Sequence, residues 1–299
     1  MIGEQMGSDL EETQPRERDE LGAHVSSAGG VQYAPARAED IEAAVLQLFT
    51  KQPSRWAEPD ISLETREAFQ SERKRARITS AVVHDSYLIN LSSPDPALWE
   101  RSLRCFTGEV GRAASLGLDF VVSHPGNATD GDLTSGIARN ADGVERALTE
   151  VKEGPMVLLE LTAGSGTSVG GTFENLAAIT ARLGPGVLPR VGFCFDTCHA
   201  YAGGYDLVRD YGGVFQRFGD VLGLDRLRLF HVNDSKGDLG SKRDRHEHIG
   251  RGTLGEDPFR RLMRDERFTG VPKILETPKE DDPVVADLAN LNLLRSFRE

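Results

Sequence analysis

Short apolar runs alternate with longer amphipathic stretches along nearly the whole chain. Eight runs have strand length and are bounded by turn residues, at 21–25, 45–49, 78–84, 118–124, 156–161, 190–196, 227–232 and 272–276. Between them the apolar residues recur at helical spacing. Over 96–116, Leu98, Leu103, Val110 and Ala114 fall along one stripe. Over 172–183, Phe173, Leu176, Ala177 and Leu183 share a face interrupted only by Thr180. This second segment opens as a loose capping box, with Thr172 in the cap position and Glu174 one residue early. A shorter helix is predicted over 215–222. Strands alternating with helices imply parallel pairing, and eight such units close into a barrel. The expected fold class is therefore α/β, a single (β/α)8 TIM barrel.

Composition narrows this picture without changing it. The chain has 299 residues, 38% of them apolar, enough for one large core. No apolar run is long enough to span a bilayer, so no membrane partner is expected. Residues 1–18 are charged and aperiodic, and read as a disordered acidic tail ahead of one catalytic domain over 19–299. That start lacks the apolar centre of a signal peptide, and three cysteines are too few for a disulfide framework. Both features point to a reduced, cytoplasmic setting. The longest irregular stretch, 233–257, is rich in Gly, Asp, Arg and His, and a loop of that length is functional or disordered.

The chemistry is legible in where ligand-type residues fall. His84, His124, Glu160, Asp196, His231 and Glu276 stand at or near the ends of strands three to eight. Barrel active sites are built at that C-terminal mouth. Taken singly, a strand-end His or Asp more often caps or hydrogen-bonds; six converging strands favour metal ligation. Glu160 is the most unusual of them, since a carboxylate among Leu158, Leu159 and Leu161 needs a partner. His199 follows Asp196 by one helical-type turn, and Asp244 and His246 share a face of the long loop if it is extended. Nine ligands suit three ions, and imidazole with carboxylate suits Zn2+, with Mn2+ an alternative at some sites. His24 is expected to support the ligands or pack, His248 to lie on a loop surface, and Cys194 and Cys198 to pack or turn.

At these residues the sequence resembles the endonuclease IV family of apurinic/apyrimidinic (AP) endonucleases, from about Gly22 to Glu276. The motifs are Gly-Ala-His-Val-Ser at 22–26, His-Asp-Ser-Tyr-Leu-Ile-Asn-Leu at 84–91, His-Pro-Gly at 124–126 and Glu-Leu-Thr-Ala-Gly at 160–164. They continue with Asp-Thr-Cys-His-Ala at 196–200, Gly-Tyr-Asp-Leu at 204–207, His-Val-Asn-Asp-Ser-Lys at 231–236, Gly-Ser-Lys-Arg-Asp-Arg-His at 240–246 and Ile-Leu-Glu-Thr at 274–277. The resemblance implies one ion on His84, His124 and Glu160, a second on Glu160, Asp196, His231 and Glu276, and a third on His199, Asp244 and His246. It also implies a three-metal hydrolysis of the phosphodiester 5′ to an abasic site in duplex DNA, leaving 3′-OH and 5′-deoxyribose phosphate ends, with action on 3′-blocked ends left open. Glu160, Glu276 and His124 are the residues expected at the reacting centre. The implied partner is damaged double-stranded DNA, met by a monomer in the cytoplasm at the nucleoid.

Substrate recognition departs from the family pattern. Tyr87 matches the aromatic that enters the space near the damaged nucleotide, where the missing base makes extrusion cheaper. The arginine expected in the DNA stack falls on Ser54, with Arg55 next to it and Trp56 following. Glu247 replaces a second histidine, Arg251 a glutamate, Leu161 an asparagine and Ser165 a glutamine of the family. Arg55, Trp56, Lys51, Lys236 and Arg245 are the further candidates for DNA contact, and Arg73, Lys74 and Arg75 read as plain helix surface. The net charge of −12 is awkward for a DNA-binding protein. Residues 1–20 carry seven acids against two arginines, a net of −5, which leaves −7 on the body. Three divalent ions would bring the body to about −1. The rival readings are a metal-dependent sugar isomerase or epimerase, which needs no third ion, and a damage-binding protein without turnover.

Overall fold

In the computed structural model, residues 20–298 are described. The acidic tail expected over 1–18 lies outside the described residues. Eight parallel strands close into a barrel: β1 (Leu21–His24), β2 (Val45–Leu48), β3 (Ser80–His84), β4 (Phe120–Ser123), β5 (Met156–Glu160), β6 (Val191–Asp196), β7 (Leu227–His231) and β10 (Lys273–Leu275). All eight coincide with the predicted runs, shortened by a residue or two at their ends. The remaining pair, β8 (Asp234–Ser235) and β9 (His246–Glu247), forms a small antiparallel ladder inside the long loop. That loop is therefore ordered. The buried Asp234 carboxylate accepts from the amides of Ser235, Gly252 and Leu254 at 2.7, 2.9 and 3.0 Å, which folds the segment back on itself.

Helices surround the barrel: α1 (Ala34–Asp40), α2 (Leu63–Arg75), α3 (Pro96–Leu116), α4 (Leu133–Glu150), α5 (Phe173–Thr180), α6 (Thr197–Gly203), α7 (Tyr211–Leu222), α8 (Asp257–Arg264) and α9 (Pro283–Ser296). Local chemistry sets their ends. Asp95 caps α3 by accepting from Ala97 and Leu98, Pro96 opens it, and Gly117 leaves it at φ +71°. Thr172 caps α5 through the Asn175 amide, as the loose capping box suggests. The α7 helix starts a turn earlier than its apolar spacing indicates, because Asp210 caps it on Gly213.

A strand's side chains alternate between faces, and this places the site. Val45, Val82, Val122, Leu158, Cys194, Leu229 and Ile274 pack together as an apolar plug inside the barrel. Gly22 supplies the eighth strand's position without a side chain, since a Cβ there would meet the Val45 carbonyl oxygen at 1.8 Å. Two residues further along each strand lie His24, Gln47, His84, His124, Glu160, Asp196, His231 and Glu276. The period of two thus sets a polar ring directly above an apolar floor, at the C-terminal mouth.

Candidate metal centre

Among the described residues, five groups of ligand-type atoms come within 4.8 Å of one another in this ring and the loops above it; two include Cys194 or Cys198, and the other three are His84, His124 and Glu160; Glu160, Asp196, His231 and Glu276; and His199, Asp244 and His246. These three are the groupings that the resemblance implies. Glu160, fully buried, stands at their centre. Its Oε2 lies 3.3 Å from His84 Nε2 and 3.0 Å from His124 Nε2. Its Oε1 lies 3.1 Å from both His231 Nδ1 and His199 Nδ1. Glu276 Oε2 is 3.3 Å from His231 Nδ1, and Asp196 Oδ2 is 4.0 Å from the same nitrogen.

The third group is built by α6 and the long loop. Asp196 caps α6, accepting from the His199 amide at 2.7 Å, which aims the next ligand back over the barrel. His199 Nδ1 and His246 Nδ1 donate to the carbonyl oxygens of Leu161 and Glu276, at 3.0 and 3.1 Å. Their Nε2 atoms therefore point inward, and both are buried with no hydrogen-bond partner among the described residues. They face the Asp244 carboxylate at 3.2 and 3.3 Å. Two imidazole lone pairs converging on a carboxylate call for positive charge between them, a proton or a metal ion.

The electrostatics carry the same demand. Burial works against ionised Glu160, but the imidazoles of His124 and His231 hold it well below the usual carboxylate range. Burial would lower the pKa of His84, yet Glu160 raises it to about 10. Burial also opposes the Asp244 charge, and the His199 contact still brings that group down to about 2. Burial pushes Cys198 up to about 12 and Cys194 higher than an ordinary thiol, so both stay protonated although each lies near ligand atoms.

Several expected contacts sit elsewhere. The Lys51 ammonium turns inward to the carbonyl oxygens of Arg55 and Ala57, at 2.6 and 3.3 Å, and pairs with Glu58 at 3.0 Å. It anchors the loop after β2 at the edge of the cavity above the ring. Trp56 is half-buried against the core with the Arg101 guanidinium 4.4 Å over its ring, so it too holds the loop from within. Arg55 is exposed on that loop. Tyr87 is 70% exposed and leans edge-on against Phe49, with ring centroids 5.3 Å apart. Tyr87 and Arg245 line the open cavity of about 1540 Å³ above the ring. Lys236 is half-exposed, 3.7 Å from Glu247. His248 is buried instead of decorating a surface, bonded to Asn290 at 2.9 Å and to Glu280 at 3.0 Å, because α9 folds over the loop. His24 supports the ring, its Nδ1 3.0 Å from the Gln47 amide and 3.5 Å from Glu276.

Two residues of the site are missed by sequence reasoning. Asn233 donates to Asp196 Oδ2 at 2.7 Å and accepts from the Glu276 amide at 2.8 Å, tying two ligands together. Gln47 occupies the second strand's place in the ring. As the lone polar residue in Val45-Leu-Gln-Leu-Phe, two positions beyond a plug residue, it carries a signal that period-two counting exposes.

The sequence profile of the xylose isomerase-like TIM barrel family matches residues 35–296. A probable endonuclease 4 of Geobacter sulfurreducens is 47% identical over 281 residues, 93% of this chain and 94% of its own length. That of Chloroflexus aggregans is 44% identical over 281 residues, 93% of this chain and 97% of its own. The solved endonuclease IV of Thermus thermophilus superposes with a TM-score of 0.83 at 36% identity, covering 93% of this chain and 98% of that one. A D-tagatose 3-epimerase-like protein, at 16% identity and a TM-score of 0.69, covers 93% of this chain and 98% of its own and shares the fold alone.

Proposed function

Since the chain belongs to the endonuclease IV family of xylose isomerase-like TIM barrels, we propose that it is an AP endonuclease of DNA repair. It hydrolyses the phosphodiester 5′ to an abasic site in duplex DNA and leaves a 3′-OH and a 5′-deoxyribose phosphate. It works as a monomer, in the cytoplasm.

The observation that carries the reading is the third group. His199 Nε2 and His246 Nε2 are buried, have no hydrogen-bond partner among the described residues, and lie 3.2 and 3.3 Å from the Asp244 carboxylate, a donor set fitted to a divalent cation. A sugar isomerase using the four ligands Glu160, Asp196, His231 and Glu276 has no use for it. We assign three ions to the three groups, zinc being favoured by five imidazoles, four carboxylates and no thiolate. Bound there, such ions acidify water and neutralise charge on a phosphate.

The protein's own groups do the rest. Glu160 turns one oxygen to the first group and the other to His231 of the second and His199 of the third, so one carboxylate ties the groups together. Asn233 and Asp196 hold the second and third groups in common register. Glu276 and His124 flank the reacting phosphate, and Arg245 meets a neighbouring one from the rim. Tyr87 fills space beside the extruded abasic nucleotide. Selectivity then comes from the lesion, which costs little to unstack.

Metal analysis combined with incubation on duplex DNA bearing one tetrahydrofuran abasic analogue tests this. Close to three ions per chain and a nick on the 5′ side are expected. Epimerisation of a ketose with the DNA left intact would overturn the nuclease reading in favour of a sugar enzyme.

A further inference from the structure

Gln47 sits on β2 with no solvent exposure, in the ring of ligands but unable to serve well as one. Its amide makes three hydrogen bonds. Nε2 donates to Glu276 Oε1 at 2.5 Å and to His24 Nδ1 at 3.0 Å. Oε1 lies 2.8 Å from His231 Nε2. The reverse orientation of the amide would set its oxygen against a carboxylate oxygen at the shortest of these contacts, so Glu276 decides which way it faces. Given that orientation, His231 must carry its proton on Nε2 and donate it to Gln47. The lone pair of the neutral ring is then on Nδ1, which faces Glu160 Oε1 at 3.1 Å and Glu276 Oε2 at 3.3 Å.

The other histidines whose second nitrogen is held differ in kind. His84, His199 and His246 each give their Nδ1 proton to a main-chain carbonyl, of Asp85, Leu161 and Glu276. A backbone carbonyl is supplied by the fold whatever the local side chain. His231 depends on a side chain, from a strand across the barrel. That same side chain occupies one oxygen of Glu276 and leaves the other to the ligand group.

We infer that Gln47 is a positioning residue for the second ligand group: it selects Nδ1 of His231 and orients Glu276, and so sets the affinity of that group for its cation. The inference rests on the metal reading above. Metal-bound histidines owe both tautomer and ring orientation to such partners, whose loss costs about 10–100-fold in affinity or activity.

The test uses the full chain, loaded with zinc and labelled with nitrogen-15 at histidine, as wild type, Gln47→Leu and Gln47→Glu. Wild type should show His231 bound through Nδ1 with a proton on Nε2. Gln47→Leu removes all three bonds; it should bind its weakest-held zinc roughly 10–100-fold less tightly, lose the wild-type His231 signature, and lower kcat with KM for abasic DNA nearly unchanged. Gln47→Glu keeps an acceptor for His231 but sets a carboxylate against Glu276. It should retain the Nε2 proton signal and still lose zinc affinity, which carries the test if the leucine variant fails to fold. Wild-type zinc affinity in a folded variant, or Nε2 ligation in wild type, overturns the role of Gln47 alone. A wild-type chain that takes up no zinc overturns the metal reading itself.

Discussion

Glu276 reaches the second ligand group with one oxygen and Gln47 with the other, so its charge and its two acceptors serve different partners. Replacing it by Gln keeps the shape and removes the charge. Glu276→Gln should lower nicking of abasic DNA by roughly two orders of magnitude or more while the unfolding transition stays cooperative; full activity would exclude Glu276 from the reacting centre. His84 carries a second prediction. Its folded-state pKa, about 10, lies above the ordinary 6.5 because the Glu160 contact outweighs burial. That proton must leave before Nε2 can bind a cation, so metal uptake should strengthen as the pH rises and release protons. Calorimetric titration with zinc in buffers of different ionisation heat measures the release; a binding heat independent of buffer would refute it. The same shift makes a contribution to the metal-free fold that is complete below about pH 6.5 and is lost as the pH rises through about 10.

One element without any metal ligand has its own buried ionic network: the loop after β2. Arg112 on α3 reaches Glu58 at 2.6 Å, Glu109 at 3.0 Å and the Thr50 hydroxyl at 3.0 Å, and Thr50 donates to Glu109. Lys51 joins through Glu58. Pro53 accepts from Ser86 at 2.6 Å, which couples this loop to the one bearing Tyr87. Both loops are thus seated on this ionic network against α3. Arg112→Met leaves Glu109 buried without its partner and should cost about 3–5 kcal/mol in urea unfolding. Glu109→Met in the same chain should restore most of that, since an apolar pair of similar volume replaces the ion pair. A loss below about 1 kcal/mol in the single variant would mean that the network is solvated. Metal content should be unchanged, because none of the ligands sits on this loop.

At the scale of the whole molecule, four carboxylates and five histidines are drawn into one mouth, and cations held there would bind the folded chain in preference to the unfolded one. Each site filled at one hundred times its Kd stabilises the fold by about 2.7 kcal/mol. Chelation should therefore lower Tm by roughly 5 °C or more per ion lost, read by calorimetry with and without a chelator; an unchanged Tm would argue against occupied sites. The far end of the barrel is tied at its first described residue. Glu20 bonds to the Lys273 amide through its carbonyl at 2.7 Å and to the Thr79 hydroxyl at 2.9 Å, so the barrel is tied from that residue on. We take 19–299 as the folding unit and expect a chain lacking the first 18 residues to keep both Tm and nicking activity. A large drop in Tm on that truncation would place part of the fold in the tail.

Strand periodicity and side-chain chemistry are local properties, so the eight strands, the barrel and the nine candidate ligands are legible in the residues themselves. His84 and Glu160 had only to stand at strand ends to be read. Grouping those ligands into three sets came from the family resemblance, and it is the closed barrel that brings them within reach of one another. Partner identity is not a local property. Gln47 meets His231 and Glu276 across 184 and 229 positions of chain, and only closure of the ring makes them neighbours. Lys51 and His248 look like surface residues until the β2 loop and α9 fold over them. Alternation along a strand dictates the face, so the residues alone settle which side chains line the mouth. Which nitrogen each histidine presents, and which charges are left for DNA, was decided by tertiary structure, because a buried polar group takes whatever partner the closed barrel sets beside it.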